Sequence, residues 1–208
     1  DPNQKKNLHN RFGLDLSTPK GKFSNHLFQN VCGAVSCDVL DVSDYQGAQV
    51  ICDLNDEIPA DYYEAYDVVI DAGTLEHLSN TPRALNNIFS LLRLGGIYHF
   101  GGPCNGWVDH GFFQFSPTFY KDLAFHNKGI IELEELYLSS NKGDLSVLAS
   151  SNLLISSFVT SRKKLNVGGI MLKSDLGSIS FNIMQEKYRD WHDRNGSPPP
   201  KNNKSRLQ

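Results

Sequence analysis

Two carboxylate–histidine pairs, Glu76-His77 and Asp109-His110, are the residues of this chain whose types and spacing best suit chemistry. A histidine beside a carboxylate can act as a general base, because the carboxylate fixes the imidazole tautomer and stabilises the imidazolium that forms. We therefore predict catalytic roles for Glu76, His77 and above all His110. The alternative for Glu76-His77 is that the pair caps a turn and covers a sheet. Substrate contacts are predicted nearby, at Asn105, Asp109 and Gln114.

Acidic residues also follow successive predicted strands, and ligands of open α/β sheets bind beyond the carboxyl ends of the strands. Asp41 can accept two hydrogen bonds from the vicinal hydroxyls of a ribose. Asp53 can hold an adenine amino group while the Leu54 backbone meets the edge of the ring. The alternative for each aspartate is a turn in which its side chain caps the loop backbone.

The elements that must position these residues follow from hydrophobic patterning and turn signals. Strands are predicted over residues 35–42, 49–52, 67–71, 97–100, 130–138 and 154–162, with a loop over residues 101–106. One helix is predicted from Phe23 to a stop at Gly33, one from Asn80 to Gly95-Gly96, and one from Ser116. Because strand and helix alternate, the chain is predicted to form an α/β fold with a doubly wound, mostly parallel sheet.

Several of these segments together resemble the class I S-adenosylmethionine-dependent methyltransferases, which have a Rossmann-like fold. The segments are Val39-Leu40-Asp41, Asp53-Leu54, Tyr66-Asp67-Val68-Val69-Ile70, Thr74-Leu75-Glu76-His77-Leu78 and the LRLGGI turn over residues 92–97. The resemblance covers residues 23–162, and residues 105–120 resemble a bacterial subgroup of methyltransferase-like proteins. It implies S-adenosylmethionine as the cofactor, bound by Asp41, Asp53, Leu54, Asp71, Ala72, Gly73 and Thr74. It also implies methyl transfer to an oxygen or nitrogen of a small-molecule or saccharide-like acceptor.

One element of that family, a first strand followed by a glycine-rich loop, has no counterpart in residues 1–34. Three explanations are open. The chain is a fragment of a longer polypeptide; or the first strand is supplied in another way, such as a short irregular strand within residues 11–16; or the sheet has closed up and the cofactor site has degenerated. A degenerate site would make the chain a binding or scaffold module that keeps the methyltransferase fold.

A divalent metal is the other ligand that Glu76 and the histidines can take, through carboxylate oxygen and imidazole nitrogen. A metal-dependent RNA-end methyltransferase subgroup also places Glu-His after this strand. Gly73 stands where that subgroup has a second glutamate, so we predict no metal site here. The nucleophile elbow, the Walker loop, the HExxH helix and cysteine/histidine zinc spacings do not occur in the sequence.

Composition and charge predict one soluble, cytoplasmic domain. The 208 residues carry a formal net charge of −3, which argues against general nucleic-acid binding, and their apolar runs are too short for a membrane span. We predict an irregular segment over residues 1–22, the α/β domain over residues 23–184 and a basic, solvated tail over residues 185–208, which offers a surface for a partner. The four cysteines include no CxxC pair and are predicted to be reduced thiols.

Overall fold

The computed structural model describes residues 28–29, 33–44, 47–140, 145–147 and 164–195. The chain divides into two compact units, residues 1–53 and residues 54–208, and each is described by itself. The predicted segment over residues 1–22, the predicted strand over residues 154–162 and nearly all of the predicted first helix lie outside the described residues. The predicted domain boundaries stay predictions.

The first unit contains a short parallel pair of strands, β1 (Leu40–Asp41) and β2 (Val50–Ile51). The backbone N–H of Val50 donates to the Val39 carbonyl at 3.1 Å, and that of Cys52 donates to the Asp41 carbonyl at 2.9 Å. Both strands fall inside the segments predicted from β-branched composition, although each is shorter than predicted.

The second unit is built on a five-stranded sheet with the order β3-β4-β7-β5-β6. Its strands are β3 (Tyr66–Ala72), β4 (Leu92–Asn105), β5 (Ile131–Ser140), β6 (Leu145–Val147) and β7 (Leu165–Lys173). Only β3 and β4 pair in parallel, whereas the β4–β7, β7–β5 and β5–β6 pairs are antiparallel. The fold is α/β as predicted, but the prediction of a mostly parallel sheet is wrong, because β7 inserts between β4 and β5 and runs opposite to both.

Strand β7 carries two glycines at its centre, and it is missing from the sequence prediction because glycine usually weakens a strand. A Cβ at Gly168 would lie 2.5 Å from the Tyr137 ring, and one at Gly169 would lie 2.7 Å from the Phe100 ring. The two glycines therefore allow aromatic side chains of the neighbouring strands to pack against the β7 backbone. Strand β4 also continues through residues 101–105, which were predicted as a loop.

In the part of the chain that the structure describes, three helices accompany the sheet: α1 (Thr81–Leu91), α2 (Pro117–His126) and α3 (Glu186–Asn195). The predicted starts of α1 and α2 are confirmed, since Asn80 caps α1 through the Arg83 N–H and Ser116 caps α2 through the Phe119 N–H, both at 3.3 Å. Helix α1 ends at Leu91, before the predicted stop, where the Lys173 ammonium donates to the backbone carbonyls of Phe89 and Leu92.

Helix α3 corrects the prediction of a solvated tail for residues 186–195, whereas residues 196–208 of that tail lie outside the described residues. The Arg189 guanidinium lies 3.3 Å from the buried Asp122 carboxylate of α2 and 3.6 Å from the centre of the Phe125 ring. The Glu186 N–H donates to the other oxygen of Asp122. These contacts join α3 to α2 within the second unit.

The core of the second unit lies between β4 and the helices. Phe100 stacks on Tyr120 with ring centres 4.0 Å apart, and Tyr98 packs edge-on against Phe89. Tyr98 and Phe100 are fully buried. This part of β4 is therefore closely packed, and it positions the residues that follow the strand.

Two further predictions bear on the described residues. Cys37, Cys52 and Cys104 are not in disulfides, and Cys32, the fourth predicted thiol, lies outside the described residues. No helix among the described residues is long and apolar enough to cross a bilayer.

Candidate functional site

A cleft of about 440 Å³ opens in the second unit where β3 and β4 end. The parallel pairing of the two strands places Ala72 beside Gly101 at this edge, as expected for a ligand site of an α/β fold. Strands β7 and β5, which follow β4 in the same sheet, also contribute to the lining. The cleft is lined by Ala72, Gly73, Glu76, His77, Gly101, Gly102, Pro103, Trp107, His110, Tyr137, Ser139, Asn166 and Val167.

The turn after β3 is organised by the buried carboxylate of Asp71. One oxygen accepts hydrogen bonds from the N–H groups of Gly73 at 3.1 Å and Thr74 at 2.7 Å, and the other accepts from the Tyr98 hydroxyl at 3.1 Å. Burial raises the pKa of Asp71, and burial together with the nearby Asp71 raises the pKa of Tyr98 well above its usual range. Asp71 therefore shapes the turn, and its predicted contact with a cofactor stays a prediction.

Glu76 follows in a 3-10 turn, Leu75–His77, and its side chain is only 3% exposed. Three glycines surround it: a Cβ at Gly73 or at Gly102 would lie 3.2 Å from a carboxylate oxygen, and a Cβ at Gly111 would lie 2.9 Å from Cγ. Gly73 and Gly111 also have φ of +106° and +70°, a conformation that favours glycine. The glycines thus let the backbone close around the Glu76 carboxylate.

His110 reaches the site on the loop that follows β4. The Glu76 carbonyl accepts hydrogen bonds from the N–H groups of Phe112 at 2.7 Å and Phe113 at 3.2 Å, so the loop is tied to the Glu76 backbone. Asp109 has φ of +64°, next to His110. As a result, His110 Nε2 lies 3.5 Å from Glu76 Oε1.

His77 completes a cluster of three side chains. Its Nε2 lies 3.9 Å from Glu76 Oε1, and its ring meets the His110 ring edge-on with centres 5.0 Å apart. One ligand atom from each of Glu76, His77 and His110 lies within 4.8 Å of the others. The structure thus brings the three predicted catalytic residues together in one cleft, whereas their roles stay predictions.

The predicted substrate residues do not line this cleft. Gln114 accepts a hydrogen bond from the Trp107 N–H at 3.0 Å, Asp109 is exposed, and Asn105 pairs with Leu165 of β7 at the end of the β4 ladder. Gln114 and Asp109 therefore shape the loop that carries His110.

Trp107 is the loop aromatic that reaches the cleft. Its Nε1–H donates to the Leu165 carbonyl at 3.0 Å, and the Lys164 ammonium lies 4.3 Å from the centre of its ring. Phe115 and Tyr120 instead belong to the core, and Phe112 is largely exposed. Trp107 is thus held against β7 as one wall of the cleft.

The remaining cofactor predictions are Asp41 and Asp53 in the first unit and Leu54 in the second. Asp41 Oδ1 accepts hydrogen bonds from the Ser43 N–H at 2.9 Å and the Ser43 hydroxyl at 3.2 Å, which is the loop-capping turn considered as its alternative role. Asp53 belongs to the first unit and is half-buried. Leu54 belongs to the second unit, where its carbonyl accepts from the Asn87 amide at 3.0 Å. Cofactor binding by these three residues stays a prediction.

Sequence reasoning missed the wall supplied by β5 and β7. Tyr137 and Ser139 are two residues apart on β5 and so face the same side of the sheet. Their position at the carboxyl end of the strand predicted over residues 130–138 is the signal that could have identified them. Asn166 and Val167 had no such signal, since β7 itself was not predicted.

Comparisons with known proteins give likenesses only among solved structures. No protein-family model matches the chain, and no curated protein matches its sequence. An S-adenosylmethionine-dependent methyltransferase from Thermotoga maritima has a TM-score of 0.49 at 13% identity, covering 84% of this chain and 96% of that one. The MccD protein has a TM-score of 0.49 at 12% identity, covering 73% of this chain and 85% of that one.

A third likeness is to the 1,6-didemethyltoxoflavin-N1-methyltransferase of Burkholderia thailandensis, whose structure contains 1,6-didemethyltoxoflavin and S-adenosylhomocysteine. Its TM-score is 0.41 at 12% identity, covering 65% of this chain and 60% of that one. TM-scores below 0.5 do not by themselves establish a shared activity. The chain resembles S-adenosylmethionine-dependent methyltransferases among solved structures, and its activity has to be established from its own residues.

Proposed function

We propose that this protein transfers a methyl group from S-adenosylmethionine to an oxygen or nitrogen of a small-molecule or saccharide-like acceptor. The observation that carries the proposal is the buried Glu76 carboxylate with His110 and His77 beside it, in a glycine-lined cleft where two parallel strands end. A cleft at this position is the usual ligand site of an α/β fold.

The cleft has features that suit a large nucleotide-type cofactor. A Cβ at Gly101 would have no atom within 4 Å, so the β4 backbone borders open space there. Ala72 and Gly73 line the same space at the end of β3. We assign Ala72, Gly73 and Gly101 to cofactor contact, with Asp71 and Thr74 holding the turn that presents them.

The cluster supplies what methyl transfer needs from the protein. S-adenosylmethionine, when bound, supplies a methyl group on a positively charged sulfur. His110, at 44% exposure, can take the proton from an acceptor hydroxyl or amine, and the Glu76 carboxylate at 3.5 Å stabilises the imidazolium that results. Trp107 and Tyr137 supply apolar walls that orient an acceptor near these groups.

Calorimetric titration with S-adenosylhomocysteine tests the proposal directly. We expect micromolar binding by the wild type, and we expect Ala72→Leu to weaken it at least tenfold, about 1.4 kcal/mol, by filling the cleft. Ala60→Leu is the matched control, because Ala60 is exposed on a 3-10 turn and does not line the cleft. The predictions for the first unit are tested with Asp41→Ala, for which Asp44→Ala is the control.

The rival function is a binding or scaffold module that keeps the fold without the cofactor. Wild-type protein that is folded by circular dichroism but gives no heat with S-adenosylhomocysteine would support the rival and overturn the proposal. Binding that Ala72→Leu leaves unchanged would remove this cleft as the cofactor site.

A further inference from the structure

We propose that Glu76, His77 and His110 bind a divalent transition-metal ion, which revises the sequence prediction of no metal site. One carboxylate oxygen and two imidazole nitrogens lie within 4.8 Å of one another. The binding site is argued from these ligand atoms alone, whereas any part of the metal in methyl transfer rests on the proposed function.

The distances between the ligand atoms suit a small metal ion. Metal–ligand bonds of about 2.0–2.2 Å in tetrahedral geometry place neighbouring ligand atoms roughly 3.4 Å apart. His110 Nε2 and Glu76 Oε1 are 3.5 Å apart, and His77 Nε2 and Glu76 Oε1 are 3.9 Å apart. A small rotation of His77 brings the second pair into range. The His77 and His110 side chains are 50% and 44% exposed, so both rings have room to adjust.

The surroundings of Glu76 supply a second, independent reason. Its carboxylate is almost fully buried, and an ionised carboxylate is costly to bury unless a positive charge or hydrogen-bond donors compensate it. At Asp71, five residues earlier, two backbone N–H groups and a tyrosine hydroxyl provide that compensation. At Glu76, the groups at ion-pair distance among the described residues are the two imidazoles, whose ring nitrogens are also common metal ligands. A divalent cation shared by all three groups supplies a positive charge beside the buried carboxylate.

The ligand set also indicates which ions fit. Two imidazoles and one carboxylate suit zinc, cobalt, manganese, iron or nickel, whereas magnesium and calcium prefer oxygen ligands. Three protein ligands leave at least one coordination position open. Glu76, His77 and His110 all line the cleft, so the open position is reached from there by water or by a donor atom of an acceptor. Ligation occupies the Nε2 lone pair, so in a loaded site His110 holds the metal in place of accepting a proton.

Cobalt(II) is the probe for this site, because its visible absorption reports the ligands and their geometry. The untagged 208-residue chain, stripped with chelator, is titrated with cobalt(II) in the absence of S-adenosylmethionine and of any acceptor. We expect saturable absorption bands at one equivalent, typical of nitrogen and oxygen ligation in a four- or five-coordinate site. His110→Asn and His77→Asn each weaken binding at least tenfold, and both replace exposed side chains, so the folded state survives. Glu76→Gln is the third variant and abolishes the bands.

Matched controls separate this site from other histidines and acids of the chain. His126→Asn changes a histidine whose ring bonds the Met184 backbone, and Glu134→Gln changes an exposed acid on β5; both should bind cobalt(II) as the wild type does. Absence of bands with the wild type, or wild-type affinity in both His77→Asn and His110→Asn, overturns the inference.

The same samples distinguish this inference from the proposed function. Cobalt(II) binding without any binding of S-adenosylhomocysteine leaves the metal site standing and removes methyl transfer. Cofactor binding without cobalt(II) binding removes the metal site alone, and His110 then keeps its role as proton acceptor.

Discussion

Two buried carboxylates lie close together in the sequence, and the structure treats them differently. Asp71 is 6% exposed and accepts hydrogen bonds from two backbone N–H groups and the Tyr98 hydroxyl. Glu76 is 2% exposed, and its carboxylate lies beside the imidazoles of His77 and His110 in the lining of a cleft. The carboxylate of Asp71 accepts hydrogen bonds within the fold, whereas that of Glu76 lies beside two imidazoles in the cleft, which is why we propose it as a ligand. Burial alone therefore does not mark a functional acid; the nature of its partners does.

Removal of the Asp71 carboxylate is expected to have the largest effect on stability. Asp71→Ala leaves the Gly73 and Thr74 N–H groups and the buried Tyr98 hydroxyl without their acceptor, which costs about 3 kcal/mol in the free energy of unfolding. The control on the same strand is Asp67→Ala, whose side chain pairs with Arg93 at the surface and is 72% exposed. Exposed pairs contribute little, so this change costs less than about 1 kcal/mol. Urea denaturation compares the two, and equal losses would contradict a structural role for Asp71.

The next target is the set of three glycines around the Glu76 carboxylate, here called the glycine cradle: Gly73, Gly102 and Gly111. Gly111→Ala places a Cβ 2.8 Å from the Glu76 carbonyl oxygen, at a residue whose φ is +70°. Gly95→Ala is the matched control, because Gly95 has nearly the same φ, +76°, but has no atom within 4 Å of a Cβ. The control loses about 1 kcal/mol from backbone strain, and Gly111→Ala loses roughly 1–2 kcal/mol more from the clash.

Cobalt(II) titration of the Gly111→Ala and Gly95→Ala variants shows whether the glycine cradle also positions the ligand atoms in the cleft. Since Gly111 follows His110 directly, Gly111→Ala also moves that imidazole away from Glu76. Cobalt(II) binding should weaken in Gly111→Ala and stay at the wild-type level in Gly95→Ala. Equal behaviour of the two variants in both measurements would show that the contact with Glu76 is unimportant.

The sequence was sufficient to predict an element wherever the residues that determine it lie within a few positions of one another. The cap-plus-proline pairs at Asn80 and Ser116 predicted the starts of α1 and α2, because a capping side chain acts on the next turn of its own helix. Strand β7 was missed because its glycines are explained only by the rings of Tyr137 and Phe100 on other strands. Helix α3 was missed for the same kind of reason, since its contacts are with Asp122 and Phe125 of α2.

The candidate site also has a part that the sequence could predict and a part that it could not. Glu76, His77 and His110 could be singled out because carboxylate–histidine neighbours are visible in the sequence. Their approach to one another could not be measured there, because it depends on hydrogen bonds from residues 112–113 to the Glu76 carbonyl. The different use of Asp71 and Glu76 also depends on Tyr98 and Gly111, which the sequence does not connect to either acid.

The smallest expected effect concerns pH and again separates the two acids. Burial raises the pKa of Asp71 above its ordinary 3.8, so between that value and the raised pKa the folded protein binds more protons than the unfolded chain. The contribution of Asp71 to the free energy of unfolding is therefore fully present below pH 3.8 and declines as the pH rises through the raised pKa, by at most about 1.4 kcal/mol per pH unit. Asp71→Asn cannot titrate but keeps an oxygen for the Gly73 and Thr74 N–H groups, so wild type should gain stability relative to this variant as the pH falls. Urea denaturation of both proteins across the acidic pH range measures this difference in the free energy of unfolding. The contributions of all the other carboxylates, which the two proteins share, cancel in the difference.

A difference that stays constant with pH, or that grows as the pH rises, would mean that the Asp71 carboxylate is stabilised by its three donors more than it is penalised by burial. In that case the contrast with Glu76, which accepts no such hydrogen bonds among the described residues, would be larger than the raised pKa of Asp71 implies.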